Sequence, residues 1–208
     1  VLPFDLLAYW KLDEAEGTLA ADSAGDKDGT INGNPVWQPT SGKVNGALQF
    51  DGIDDYVSTP FMLNPAAGAF SVFTWVKGGA PGQVIISQMT GANWLCADPS
   101  QGKFMTGLTR PPGGRGAPPT LVSGFVITDG NWHCIGFVWD GSCRHLYVDG
   151  AEVANDVAPL SDLVSAEGGL YFGAGNALTA GSFWSGLIDD VRIYSTALSA
   201  EKIAAMAN

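Results

Sequence analysis

The chain has 208 residues, of which 46% are hydrophobic and only 15% charged, enough apolar material for a substantial core and too ordered a composition for a disordered segment. Ten Lys plus Arg stand against twenty-one Asp plus Glu, a net charge of −11 with no long basic cluster, so nucleic acid and anionic membrane are poor partners. No apolar run approaches the ~20 residues of a membrane span. Gly (28) and Pro (12) follow no fixed period, which excludes a collagen-like repeat and suits short strands joined by turns.

Nothing marks a linker, so one domain over 1–208 is expected, with a core from about 6 to 206 and residues 1–5 as an N-terminal extension. Leu6 to Leu12 reads as a strand ending in the polar run Asp13-Glu14-Ala15-Glu16-Gly17. The next loop, from Ala21 to Thr30, holds Asp22, Ser23, Gly25, Asp26, Asp28 and Gly29. Its oxygens suit either Asx-turns or a hard cation such as Ca²⁺, although the closing Glu of an EF-hand is absent. Gly46 to Val57 reads as two short strands around the Asp51-Gly52 turn.

Phe70 to Lys77 alternates, with Phe70, Val72, Thr74 and Val76 opposite Ser71, Phe73, Trp75 and Lys77. Val84 to Ser87 is a further strand, and Trp94 to Asp98 with Gly102 to Leu108 make a hairpin. Residues 109–120 form a Pro/Gly loop carrying Arg110 and Arg115, half of all the Arg. Trp132 to Trp139 and Arg144 to Val148 flank Asp140-Gly141 as the strongest hairpin, and a second Asp-Gly turn precedes Ala151. A tight turn there sets Cys143 near Val138 and Cys134 near Tyr147. With Cys96 the cysteines are odd in number, and their pairing stays open.

Gly169 to Gly173 is another strand, and a Gly/Ala/Ser loop then leads through Phe183-Trp184 to Gly186-Leu-Ile-Asp-Asp-Val-Arg-Ile-Tyr194. In that closing strand Asp189 and Asp190 have opposite parity, so whichever face is buried takes a carboxylate with it. Arg192 can answer one of them; the other calls for backbone N–H groups or a cation. Ser199 to Met206 reads as a short Ser-capped helix. About a dozen short strands argue for two packed antiparallel sheets with the first and last strands paired.

These motifs in order, Tyr9 to Glu14, Asp22 to Gly25 with Asp28-Gly29-Thr30, Gly46 to Gly52, Phe70 to Val76, Gly130 to His133, Leu146 to Gly150 and Gly186 to Tyr194, resemble the laminin-G-like branch of the concanavalin A-like jelly rolls. The resemblance implies an all-β jelly-roll β-sandwich of two antiparallel sheets. It also implies a structural Ca²⁺ held by Asp22 and Asp189, with Asp28 or nearby carbonyls completing the shell. Cys134, Cys143 and the 109–120 loop depart from the pattern.

Hydrolases of this fold carry Glu-x-Asp-x-x-Glu on one strand face; the pattern is absent, and so are Gly-x-Ser-x-Gly, Cys-x-x-Cys and His-x-x-x-His, so no enzyme is expected. The leading expectation is an extracellular module that binds a glycan or another cell-surface ligand. Most Trp read as core, while Trp94 and Trp184 border loops and are candidates for exposed ligand contacts, with Arg110 and Arg115 for an acidic sugar. The alternative is a self-assembling surface-layer or fibre subunit that contacts its own copies through edge strands and the apolar start Val1 to Leu7.

Overall fold

The computed structural model describes residues 5–109, 120–156 and 163–208. Residues 1–4, which open the N-terminal extension, and Arg110 and Arg115 lie outside the described residues. In chain order the strands are β1 (Leu6–Trp10), β2 (Leu19–Ala20), β3 (Gly29–Asn32), β4 (Val36–Gln38), β5 (Ala47–Asp51), β6 (Tyr56–Phe61), β7 (Phe70–Gly78) and β8 (Val84–Gln88). They continue as β9 (Asn93–Ala97), β10 (Lys103–Thr106), β11 (Leu121–Val126), β12 (Trp132–Trp139), β13 (Arg144–Val148), β14 (Ala151–Asn155), β15 (Gly169–Phe172) and β16 (Ser185–Tyr194), before the helix α1 (Ala200–Met206).

Two antiparallel sheets result. The first runs β14-β13-β12-β7-β16-β5-β4, with β1 paired to β16. The second runs β11-β10-β9-β8-β15-β6-β3-β2. The expected closure is present: β1 lies against the second half of β16, with Trp10 opposite Val191, while β5 lies against its first half, with Leu48 opposite Ile188.

The alternation of β7 sorts the layers. Phe70, Val72 and Val76 join Trp10, Phe50, Phe137, Ile188, Phe104 and Phe172 in the core between the sheets. Phe73 and Trp75, of the other parity, lie in a second cluster with Cys134, Tyr147 and Tyr194, which Leu198 and Ile203 of the C-terminal segment cover. The central strands of the first sheet are therefore buried on both faces, which explains the unbroken burial of β12 from His133 to Trp139. Ser199 caps α1, its Oγ accepting from the N–H of Lys202.

The two strands expected around Asp51-Gly52 are present, but they do not pair with each other: β5 belongs to the first sheet and β6 to the second. The chain changes layer at 52–55, where Gly52 takes φ +81° and Asp55 accepts the N–H of Asp51 on Oδ2 (3.0 Å) and of Asn34 on Oδ1 (2.6 Å). The β12–β13 hairpin, in turn, has a wider loop than the Asp-Gly pair suggests. Asp140 Oδ1 accepts from the N–H of both Ser142 and Cys143 at 2.7 Å, so Trp139 pairs with Arg144 and Val138 with His145. Cys143 consequently sits in the loop, Cys134 faces Asp149 rather than Tyr147, and all three thiols are free.

Gly136 tests the packing between β12 and β7. A Cβ there would lie 2.0 Å from the ring of Phe73, itself held in the cluster under α1. Gly136→Ala is expected to lower unfolding free energy by about 1–3 kcal/mol, as overpacking does; chemical denaturation measures it, and an unchanged midpoint would contradict this packing.

Candidate functional site

The acidic loop and the closing strand meet around β1, but their carboxylates do not gather. Asp22, buried, accepts the N–H of Tyr9 (2.8 Å) and Ala24 (2.9 Å) on Oδ1 and of Lys27 (3.1 Å) on Oδ2. Asp28 accepts the N–H of Asp22 at 2.8 Å, and the indole of Trp10 donates to the Lys27 carbonyl at 2.9 Å. The loop is thus locked onto β1 by hydrogen bonds, and the Asp22 carboxylate is engaged by backbone donors on both oxygens.

Asp189 faces elsewhere. Between Asp189 and Arg192 the strand advances three residues while β7 advances two, from Trp75 to Phe73, and Asp190 takes φ +53°. This bulge switches the core-facing parity: Ile188 is buried on one side of it, Val191 and Ile193 on the other. Both carboxylates are buried as a result. Asp190 accepts from the Tyr9 hydroxyl and from Arg192 Nη2 (2.7 Å), whose guanidinium stacks 4.7 Å from the Tyr9 ring. Burial pushes Tyr9 up to about 12, and it raises Asp190 in spite of these two partners.

Asp189 Oδ2 accepts the N–H of Val44 at 2.8 Å, while Oδ1 is buried without a hydrogen-bond partner. Burial is the main cause that pushes this carboxyl up to about 7, against the N–H groups of Val44 and Lys43, with the charges of Asp190 and Asp13 adding to the rise. Asp22, Asp28 and Asp189 do not bring one oxygen each within 4.8 Å of one another, and Asp28 Oδ2 and Asp189 Oδ1 are the oxygens of the three that carry no hydrogen bond from the described residues. Among the described residues, Asp51, Asp54 and Asp55, at the corner between β5 and β6, do bring one oxygen each within that distance.

The aromatic candidates also move. Trp94 and Trp184 are both 0% exposed and belong to the core between the sheets, so neither offers a face to a ligand. Trp94 packs on Phe70 at 5.2 Å between ring centroids, and Gly79 approaches Trp184 so closely that a Cβ would lie 2.2 Å from the indole. Position beside a loop in sequence misled here, because the strand ends that hold both residues turn inward.

The surface that does present rings is the outer side of the second sheet. Tyr56 of β6 and Tyr171 of β15 are partly exposed, their centroids 5.2 Å apart and their planes at 76°. Phe183, 6% exposed, lies behind Tyr56 at 6.5 Å and supports that ring rather than presenting a face of its own. Their neighbours in sequence explain the direction: Val57 and Phe172 are in the core, so the adjacent residues of each strand point outward. That alternation is legible in Tyr56-Val57 and Tyr171-Phe172. Attention to Trp alone passes over it.

The loop between β15 and β16 bounds this surface. Ser87 Oγ donates to the Ala174 carbonyl (2.7 Å), Val84 N–H to Ser182 (3.0 Å) and Asn176 Nδ2 to Gly91 (2.6 Å), which lays the loop over β8 and brings Phe183 to Tyr56. On the other side stands the acidic corner. Asp55 is buried with both oxygens bonded to backbone, whereas Asp51 and Asp54 are exposed.

With this geometry in place the comparisons can be read. The family model described as the concanavalin A-like lectin/glucanases superfamily matches residues 51–204. No curated protein sequence matches the chain. Among solved structures, domain 4 of AbnA, an extracellular GH43 arabinanase from Geobacillus stearothermophilus in complex with arabinotriose, is similar with TM-score 0.71 and 19% identity over 98% of both chains. The binding domain of Paraclostridial Mosquitocidal Protein 1 has TM-score 0.78 and 11% identity over 98% of this chain and 52% of that one. Trypanosoma rangeli sialidase with the inhibitor DANA has TM-score 0.66 and 15% identity over 97% of this chain and 32% of the sialidase. This chain spans about half of the toxin domain and a third of the sialidase, and at these identities the likeness is one of fold.

The Asp189 carboxyl gives the site a pH signature. Its ordinary value is 3.8 and its folded value about 7, so between these the folded state keeps a proton that the unfolded state has released. Stability is therefore expected to fall as pH rises through this window, with the full cost reached above about pH 7. Asp189→Asn, measured in chelator-treated buffer, is expected to flatten that slope and to gain on the order of 2–3 kcal/mol at pH 8 relative to the parent. An equal pH slope in both proteins would refute the assignment.

Proposed function

The chain belongs to the concanavalin A-like lectin/glucanase superfamily, and from that premise we propose that it is a non-catalytic extracellular module that binds a glycan through the outer face of its second sheet. The observation that carries this reading is the pair of partly exposed rings Tyr56 and Tyr171, backed by the buried Phe183, beside exposed carboxylates. An aromatic face carries negative π-density that attracts the C–H groups on the apolar side of a sugar ring, and side-chain oxygens at the rim orient its hydroxyls. The arabinotriose complex of the AbnA domain and the binding role printed for the toxin domain support a recognition function for this sandwich.

A non-catalytic reading is supported by how the Asp51–Asp54–Asp55 group is used. Retaining glycoside hydrolysis needs an acid and a nucleophile both free to reach a substrate, roughly 5 Å apart. Asp55 instead accepts two backbone N–H groups and is buried, so it holds the corner of the fold. The proposal routes no binding through calcium, because Asp22 and Asp28 accept backbone N–H groups and Asp189 lies under the 43–44 backbone.

Self-association is a second reading, and β11 favours it: Val122, Phe125 and Val126 are exposed on a strand at the edge of the second sheet. The other contact expected from sequence is narrower than Val1 to Leu7 suggested, since Leu6 pairs within the molecule, opposite Tyr194. Light scattering of the parent and of Val122→Lys distinguishes a monomer from an assembly that the charge disperses.

For the binding reading, Tyr171→Ala is expected to weaken retention on an immobilised glycan by about tenfold or more, as truncating a central aromatic contact does. The melting temperature should change little, since the ring is partly exposed. A variant that binds like the parent would remove this face from consideration.

A further inference from the structure

The charged surroundings of Tyr56 and Tyr171 are one-sided. Asp51 and Asp54 are exposed, and neither they nor Asp55 form an ion pair among the described residues. Asp51 Oδ1 accepts the N–H of Ile53 at 2.8 Å, which fixes the carboxylate at the corner while its second oxygen accepts no hydrogen bond from the described residues. On the ring face, Asn32, opposite Tyr56 on β3, commits its Nδ2 to the Thr30 carbonyl (2.9 Å) and Ser58 Oγ (3.0 Å), so its remaining polar atom is an acceptor. An ionised carboxylate only accepts hydrogen bonds. The hydroxyls of Tyr56 and Tyr171 can donate as well as accept, so the face is one-sided in charge rather than in hydrogen bonding: the exposed charges beside it are the carboxylates of Asp51 and Asp54, inside a chain of net charge −11.

Such a surface selects its ligand by sign. We infer, resting on the glycan reading above, that the ligand is an uncharged saccharide, whose ring stacks on the Tyr56–Tyr171 pair and whose hydroxyls donate to Asp51 and Asp54, and that acidic saccharides are excluded. A uronate or sialate carboxylate brought to the rings approaches two like charges that no described cation pairs. A sugar hydroxyl, by contrast, brings no charge and can donate to those carboxylates.

Ring geometry narrows the form of the ligand. The planes of Tyr56 and Tyr171 stand at 76°, so the two accessible rings do not form a flat strip. A crystalline polysaccharide surface needs coplanar rings to lie on. The observed arrangement suits a single soluble chain that presents one sugar face to one ring and an edge to the next.

The test uses the full chain with two matched probe sets, short neutral pentose and hexose oligosaccharides and the corresponding oligouronates, titrated by calorimetry at low and high ionic strength. Neutral probes are expected to bind with little dependence on salt, and oligouronates at least tenfold more weakly at low salt, the gap narrowing as salt screens the carboxylates within a Debye length of ~10 Å at 0.1 M. Asp54→Asn, and the double variant Asp51→Asn with Asp54→Asn, should raise oligouronate binding and lower neutral binding several-fold. Circular dichroism verifies folding, and the single variant remains informative where the corner does not tolerate the double one. Oligouronates that bind as well as neutral probes, with Tyr171→Ala abolishing both, would overturn the charge selection and leave the glycan site standing. No saccharide bound from either set would overturn the glycan reading as well.

Discussion

The bulge at Asp189–Asp190 is the constraint on which the first sheet depends. β16 pairs with β7 along one side and with β5 and then β1 along the other, so it joins the N-terminal strand to the centre of the sandwich. A regular ten-residue strand would keep one parity inward throughout. One extra residue instead lets Ile188, Val191 and Ile193 all reach the core. The cost is a left-handed backbone at Asp190 and two buried carboxyls. The surroundings answer most of it: the Thr74 hydroxyl donates to the Asp189 carbonyl at 2.9 Å, Arg192 and Tyr9 hold Asp190, and the backbone at Val44 caps one oxygen of Asp189.

The same economy of side chains runs through the turns. An acidic chain of this composition invites a search for cation sites, yet its Asp residues mostly accept backbone N–H groups where the chain changes direction. Asp22 holds the first loop, Asp55 the crossing between sheets and Asp140 the β12–β13 loop. Asp98 collects the N–H groups of Ser100, Gln101 and Lys103 with the Ser100 hydroxyl; burial opposes ionisation there, but these donors together hold the carboxyl down to about 2. The buried Arg144 does comparable work in reverse, bonding Asp156 through Nε and Nη2 and the Leu108 carbonyl through Nη1, which joins the strand ends on either side of the sandwich.

Function in this fold is decided at the level of side chains. An arabinanase domain, a toxin binding domain and part of a sialidase share the sandwich at identities of 11–19%, so the architecture selects none of their activities for this chain. What distinguishes the molecule is which residues its strands turn outward. On the first sheet α1 covers the outer aromatic cluster, and on the second sheet Tyr56 and Tyr171 stay accessible beside a corner that the crossing of the chain makes acidic. The proposed recognition face is the one that this asymmetry between the two layers leaves open.

Much of this was legible in the residues alone. The alternation of 70–77 assigned both faces of β7, Arg192 was identified as a partner for one of the paired carboxylates, Ser199 marked the helix start, and the pairing of first and last strands followed from two packed sheets. These features rest on local periodicity, capping and charge, which a sequence carries explicitly. Strands β2, β3, β4 and β11 were passed over because two to four residues, or a run without clear alternation, give no period to detect. The bulge, the crossing between β5 and β6, the burial of Trp94 and Trp184 and the cap that the Val44 N–H places on Asp189 were decided only in three dimensions. Each depends on which distant strand lies alongside, and pairing across more than a hundred residues leaves no mark in the residues between.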